Sequence, residues 1–190
     1  MLQQLNKVFV LALTMIGVSA HATAIINIED LRKEGEIGLF QSVSGSVDAS
    51  RGNRDRDYYT FTYRIDNNSD TVDSFLVLSQ SERKYIGNVI DESNFFHGRL
   101  VFKNKSNLHY ELFAQSSENP FRNYRQREVT GLGLRYLIND HARFGMAFIN
   151  EDEEDLNMIN TKTDRLSIYF HDDFEVGENI HFNTTIYVQP

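Results

Sequence analysis

Hydrophobic and polar residues alternate with a period of two through most of the chain, most clearly in residues 119–150. One set of alternate positions is almost entirely apolar: Thr130, Leu132, Leu134, Tyr136 and Ile138, then Ala142, Phe144, Met146 and Phe148. The other set holds arginine and small residues: Arg127, Gly131, Gly133 and Arg135, then Arg143, Gly145 and Ala147. Successive side chains of a strand point to opposite faces. The pattern therefore predicts an antiparallel hairpin of two long strands around a turn at residues 139–141.

The same alternation predicts seven further strands, so the chain reads as nine antiparallel up-and-down strands. Their approximate extents are residues 38–49, 58–66, 72–84, 94–102 and 108–115 before the hairpin, and 165–171 and 180–188 after it. The second, fourth and sixth connections look short, at residues 67–70, 103–107 and 139–141, whereas residues 85–93, 116–123 and 151–162 look like longer loops. The predicted fold class is all-β, an antiparallel up-and-down barrel.

The N-terminus has the features of a signal peptide. Lys7 precedes an apolar run at residues 8–18, and residues 20–22 (AHA) or 22–24 (ATA) offer a small-x-small cleavage sequence. A membrane anchor is the alternative, but the run is short for a membrane-spanning helix. We therefore predict a cleaved signal peptide at residues 1–22, a lead-in segment at residues 23–37 and a barrel domain at residues 38–190.

Composition narrows the class of protein. The formal net charge of −8 argues against a nucleic-acid partner, which would require a basic surface. The chain has no cysteine, so disulfides and thiolate metal sites are excluded. A mean hydropathy of −0.43 argues against a helical membrane bundle but not against a membrane barrel, in which only alternate residues face lipid. Two classes remain open: an outer-membrane barrel and a soluble periplasmic ligand-binding barrel.

Two features favour the membrane barrel. Short connections at one end and long ones at the other are typical of outer-membrane barrels. If the apolar faces point to lipid, the interior collects charged and polar residues, and the glycines leave room there for long side chains. The lumen-facing candidates are Arg64, Arg99, Arg127, Arg135, Arg143, Arg165, Glu111, His97 and His109.

Four segments carry a family resemblance: residues 95–99 (FFHGR), 111–115 (ELFAQ), 119–121 (NPF) and 127–136 (REVTGLGLRY). They resemble the salt-induced outer-membrane proteins, a domain-of-unknown-function family of β-barrels, over most of residues 38–190. The resemblance implies an outer-membrane barrel of about a dozen strands, in the cell envelope of a Gram-negative bacterium, and it brings no catalytic residues. The expected partners are outer-membrane lipids, lipopolysaccharide and the barrel-assembly machinery.

The end of the chain departs from that family. Nine strands are an odd number, whereas bacterial barrels have an even number. The last residues, Val188, Gln189 and Pro190, lack the terminal aromatic residue that such barrels use as an assembly signal. We therefore expect the barrel domain to be incomplete at its C-terminus.

No motif fixes a catalytic or metal site. An acyl hydrolase would need a histidine, a nucleophile and a carboxylate, for which the candidates are His97, His109, His171, His181, Ser167 and Glu111. No sequence motif places these residues together. We therefore predict a protein that is not an enzyme and has no cofactor. An acidic loop could bind a cation weakly through Glu151, Asp152, Glu153, Glu154 and Asp155. The main functional prediction is a structural or osmotic-adaptation barrel with a narrow arginine-lined lumen; the alternatives are a small-anion channel or receptor and the soluble periplasmic binder.

Overall fold

The computed structural model describes residues 37–52, 54–176 and 180–189. The predicted signal peptide and nearly all of the lead-in segment lie outside this part of the chain. The described residues form nine strands: β1 Gly38–Ser50, β2 Arg56–Asn68, β3 Val72–Tyr85, β4 Asn88–Phe102, β5 Leu108–Asn119, β6 Tyr124–Leu137, β7 Ala142–Asp155, β8 Asn160–Val176 and β9 Ile180–Val188. One turn of 3₁₀ helix, Pro120–Arg122, lies between β5 and β6.

All nine strands belong to one sheet, in the order in which they follow along the chain, and each pairs antiparallel with its neighbours. This confirms the all-β, up-and-down prediction. The sheet is not closed, because β1 and β9 are its two edges and do not pair with each other. No helix in the described ranges is long and apolar enough to cross a membrane.

The second, fourth and sixth connections are short, as predicted, but the predicted lengths of the third, fifth and seventh were wrong. These three shrink to residues 86–87, 120–123 and 156–159, because β4, β5 and β7 run further than expected. Residues 88–93 belong to β4, residues 116–119 to β5 and residues 151–155 to β7. The added ends of β5 and β7 are polar on both faces, and that of β4 has its two apolar residues, Val89 and Ile90, side by side. None of them shows the apolar alternation by which a strand is recognised. The difference between short and long connections therefore no longer supports a membrane barrel.

The two faces of the sheet differ in polarity. One face, called the inner face below, holds most of the buried side chains, and many of them are charged, including Arg64, Arg99, Glu111 and Arg135. The opposite, outer face carries exposed leucine, phenylalanine and methionine side chains. Residues of β4 and of β9 line one cavity on the inner face. Neighbouring strands are about 4.8 Å apart, so in a flat sheet β4 and β9 would be too far apart to line the same cavity. The sheet therefore curls toward its inner face.

Candidate functional site

The inner face contains a buried carboxylate held by two arginines, called the Glu111 triad. Arg99 Nη1 of β4 donates to Glu111 Oε2 of β5 at 2.5 Å, and Arg135 Nε of β6 lies 3.4 Å from Glu111 Oε1. Glu111 lies directly opposite Val101 of β4 and Gly133 of β6. Arg99 and Arg135 are each two residues from these positions, so each arginine lies diagonally across from Glu111. Diagonal positions are within reach of long side chains. All three side chains are at most 5% exposed.

The same arrangement recurs two strands further along the sheet, around the carboxylate of Glu151. This second cluster is called the Glu151 triad. Arg127 Nη2 of β6 donates to Glu151 Oε2 of β7 at 2.6 Å, and Arg165 Nη2 of β8 donates to Glu151 Oε1 at 3.1 Å. Arg127 Nε also lies 3.7 Å from Glu153. A smaller pair sits on β2, where Arg64 Nε donates to Asp66 Oδ2 at 2.6 Å. The inner face is therefore organised by paired charges.

Aromatic rings fill the space between these charges. The His97 ring stacks with those of Phe75, Phe95 and Phe113, and Arg99 lies over Phe113 with its guanidinium carbon 4.4 Å from the ring centroid. His97 Nδ1 also lies 3.3 Å from Gln115 Oε1. A guanidinium over an aromatic face is stabilised by the ring quadrupole, most of all where water is excluded. The Glu111 triad is thus anchored by rings as well as by charge.

Two glycines allow aromatic rings to lie flat against the sheet. A Cβ atom on Gly131 would come within 2.2 Å of the Phe113 ring, and one on Gly145 within 2.0 Å of the Tyr169 ring. Both are directly paired cross-strand positions. Covering a strand glycine with an aromatic ring from the neighbouring strand is a known way of supporting the sheet. The predicted space above Gly131 and Gly145 is therefore occupied by rings.

We expect Gly145→Ala to lower the free energy of unfolding by about 1–3 kcal/mol, the usual cost of overpacking. The added methyl group would displace the buried Tyr169 ring, which packs against Tyr187 at a centroid distance of 5.5 Å. Urea unfolding followed by circular dichroism measures the change. Gly98→Ala is the matched control, because its Cβ atom would meet Leu76 Cδ1 at an ordinary 3.7 Å. Equal destabilisation by both substitutions would contradict the ring-over-glycine contact.

All nine lumen-facing candidates lie on the inner face. Six are buried: Arg64, Arg99, Arg135, Glu111, His97 and His109; the other three, Arg127, Arg143 and Arg165, are half-buried. The structure brings Arg99, Arg135 and Glu111 into one cluster and Arg127 and Arg165 into another. Sequence reasoning missed Glu151 as the partner of the second cluster. Continuing the alternation of Arg143, Gly145 and Ala147 through Ile149 to Glu151 would have placed it on the inner face.

The predicted acidic loop is wrong, because residues 151–155 form the end of β7. Alternation sends their carboxylates to both faces, where several have cationic partners: Glu154 pairs with Arg125 at 3.1 Å and Asp152 with Lys162 at 3.0 Å. Asp155 Oδ1 accepts the backbone N–H groups of Ile159 and Asn157, and these bonds hold the pKa of Asp155 below its usual range. Within the described ranges, no group of three or more potential metal ligands comes together. The acidic residues thus form strand contacts and a turn cap, and weak cation binding by them stays a prediction.

The four histidines considered for catalysis have different partners. His97 meets Gln115, and His109 Nδ1 lies 3.5 Å from Arg135 Nη2. His171 Nδ1 lies 2.8 Å from Thr185 Oγ1, and His181 Nε2 lies 3.0 Å from Asp173. Gln189 Nε2 donates to Ser167 Oγ at 3.1 Å. These contacts are typical of histidines that stabilise a polar sheet face through hydrogen bonds. The absence of enzymatic activity stays a prediction.

The fold and the site define an all-β protein with nine antiparallel strands in one sheet, which buries its charges and exposes its apolar side chains. No family model, no curated protein and no solved structure matches this chain. The resemblance to salt-induced outer-membrane proteins therefore stays a prediction.

Proposed function

We propose that the chain forms the wall of an outer-membrane β-barrel, with the outer face against lipid and the inner face around a narrow lumen filled by charge pairs. Its role would be in the structure of the cell envelope or in its osmotic adaptation, for which the sequence resemblance and the signal-peptide pattern are the support. The observation that carries the proposal is the inverted polarity of the sheet: charged side chains are buried and large apolar ones are exposed.

The apolar outer residues form continuous rows across the sheet. Leu112, Leu132, Phe148 and Leu166 are paired one after another on β5 to β8, and so are Tyr110, Leu134, Met146 and Ile168. A third row contains Tyr136, Phe144, Phe170 and Ile186. Leu132 is 59% exposed and Phe148 49%. Soluble monomers rarely expose apolar patches of more than a few hundred Å², whereas a lipid-facing band consists of such rows.

A polar row limits this band at one end. It consists of Thr130, Asn150 and Asp164, which are paired across β6 to β8. Toward the other end the polar pair Asp172 and Thr184 is followed by the exposed pair Phe174 and Phe182, so the outer face of β8 and β9 stays largely apolar. Beyond Asn150, the β7–β8 hairpin continues with residues 151–164, which contain the acidic run and no aromatic residue. A charged hairpin beyond an apolar band agrees with strands that leave the lipid and project into water.

The edges of the sheet place a requirement on this proposal. Backbone N–H and C=O groups cannot be left unpaired against hydrocarbon, so open sheet edges do not occur in lipid. Strands β1 and β9 would therefore pair with further strands to complete the barrel. Since both strands run in the same direction, an antiparallel closure needs an odd number of additional strands.

Lipid-dependent folding of the full open reading frame tests the proposal. We expect the protein in the outer-membrane fraction, with a gel band whose mobility changes when the sample is boiled in detergent. A closed barrel resists detergent until it is heated, because every backbone group is paired. A folded protein in the osmotic-shock fraction, with no shift on boiling, would overturn the proposal and favour the soluble ligand-binding alternative.

A further inference from the structure

The outer face has a groove of about 460 Å³ that crosses strands β2 to β5. Its floor lies at Gly98 of β4 and Ala114 of β5, which are paired directly and carry little or no side chain. A Cβ atom on Gly98 would lie 3.7 Å from Leu76 Cδ1 and 3.9 Å from Phe96 Cζ, so these two side chains form walls around the floor. The volume is within the usual range of small-ligand sites, about 300–1,000 Å³.

The groove is long and has one polar end. Neighbouring strands are about 4.8 Å apart, so a groove from β2 to β5 is about 14 Å long. Asn67 and Ser74, which are paired across β2 and β3, line one end. Leu100 and Leu112, which are paired across β4 and β5, continue the same row toward the other end. An extended molecule with a polar end and an apolar tail fits such a groove.

The rim next to the polar end carries both signs of charge. The connection before β3 is hydrogen-bonded to the connection after β4, since Lys103 N donates to Thr71 O at 2.8 Å. Lys103 Nζ also lies 2.7 Å from Asp73 Oδ1. Residues 69–73 and 103–105 together contain two aspartates and two lysines. Because interacting surfaces have complementary charges, a rim with equal numbers of both signs favours a zwitterionic headgroup over an anionic one.

We infer that this groove binds an acyl chain of one zwitterionic phospholipid, whose headgroup lies at the rim formed by residues 69–73 and 103–105. The inference rests on the proposed function, because it requires lipid at the outer face, and it adds that one lipid binds there at a fixed place. Dispersion contacts with the groove walls would hold the chain, since a bilayer provides no hydrophobic driving force between apolar surfaces.

Fluorescence quenching by a zwitterionic phospholipid brominated on its acyl chains tests the site in the refolded full-length chain in detergent micelles. The chain has no tryptophan, so Phe96→Trp places a single reporter in the groove wall. We expect quenching that saturates at one lipid per protein and that the unbrominated lipid reverses. Phe144→Trp is the matched control, because Phe144 lies in the third apolar row on β7, two strands beyond the groove. Quenching of this control should rise with the lipid content of the micelle and not saturate.

Gly98→Leu, combined with Phe96→Trp, should remove the saturable quenching, because the leucine side chain fills the floor of the groove. Ala114→Leu fills the floor from the neighbouring strand and keeps the test valid if Gly98→Leu does not fold. Circular dichroism establishes that each variant is folded. Saturable quenching that survives both substitutions would overturn the inference.

The remaining outcomes separate this inference from the proposed function. Equal, unsaturable quenching of both reporters would overturn the inference and leave a lipid-facing outer face intact. Tighter binding of an anionic lipid with the same brominated chains would also overturn it. A protein that sediments as a dimer, and as a monomer with Gly98→Leu, would assign the groove to a second copy of the chain instead. No quenching of either reporter would contradict the proposed function as well.

Discussion

Glu111→Gln is expected to lower the free energy of unfolding by about 3–5 kcal/mol, the usual cost of removing one partner from a buried ion pair. Glutamine preserves the shape of the side chain but not its charge. Arg99 and Arg135, whose side chains are 1% and 5% exposed, would then face each other without their shared carboxylate. Urea unfolding of the refolded protein in detergent, followed by circular dichroism, measures the loss.

The control for this substitution is Glu154→Gln, which removes a carboxylate paired with a single, mostly exposed partner, Arg125. Exposed pairs contribute about 0–1 kcal/mol, so the control should change stability little. Adding Arg135→Gln to Glu111→Gln should recover part of the loss, because it removes one of the two cations that have lost Glu111. Additive losses in this double-mutant cycle would show that Glu111 and Arg135 do not interact.

Leu132→Arg is expected to destabilise the protein by about 2–4 kcal/mol in a lipid bilayer, the range for arginine on the lipid-facing side near the midplane of a barrel. Leu132 lies in the first apolar row, between Leu112 and Phe148, and points away from the inner face. The measurement is the folded fraction in lipid vesicles as a function of urea, read from unboiled gel mobility.

Asn150→Arg is the matched control on the same outer face. Asn150 lies in the polar row that borders the apolar band, and its amide already donates to Asp164 at 2.8 Å. Near the interface the cost of arginine falls to about 0–1 kcal/mol. If both arginines cost the same, or if Leu132→Arg stabilises the protein, the outer face does not contact lipid.

The alternation in the sequence determined the strands and their two faces. The hairpin of β6 and β7 was predicted from this pattern alone, and so was the common face of the lumen-facing candidates. Strand alternation is local, because each side chain's face depends only on its position along its own strand. Local information was also enough to recognise that arginines and glycines share the face opposite the leucines.

Partners and strand ends were decided only by the tertiary structure. The choice of Glu111 for Arg99 and Arg135, and of Glu151 for Arg127 and Arg165, follows from the register between strands, which no single strand specifies. The polar ends of β5 and β7 were not predicted, because a strand that is polar on both faces has no apolar period to detect. Their pairing comes from backbone hydrogen bonds, which are available to any sequence. The sequence by itself thus determined which side chains share a face, and the register between strands decided which of them meet.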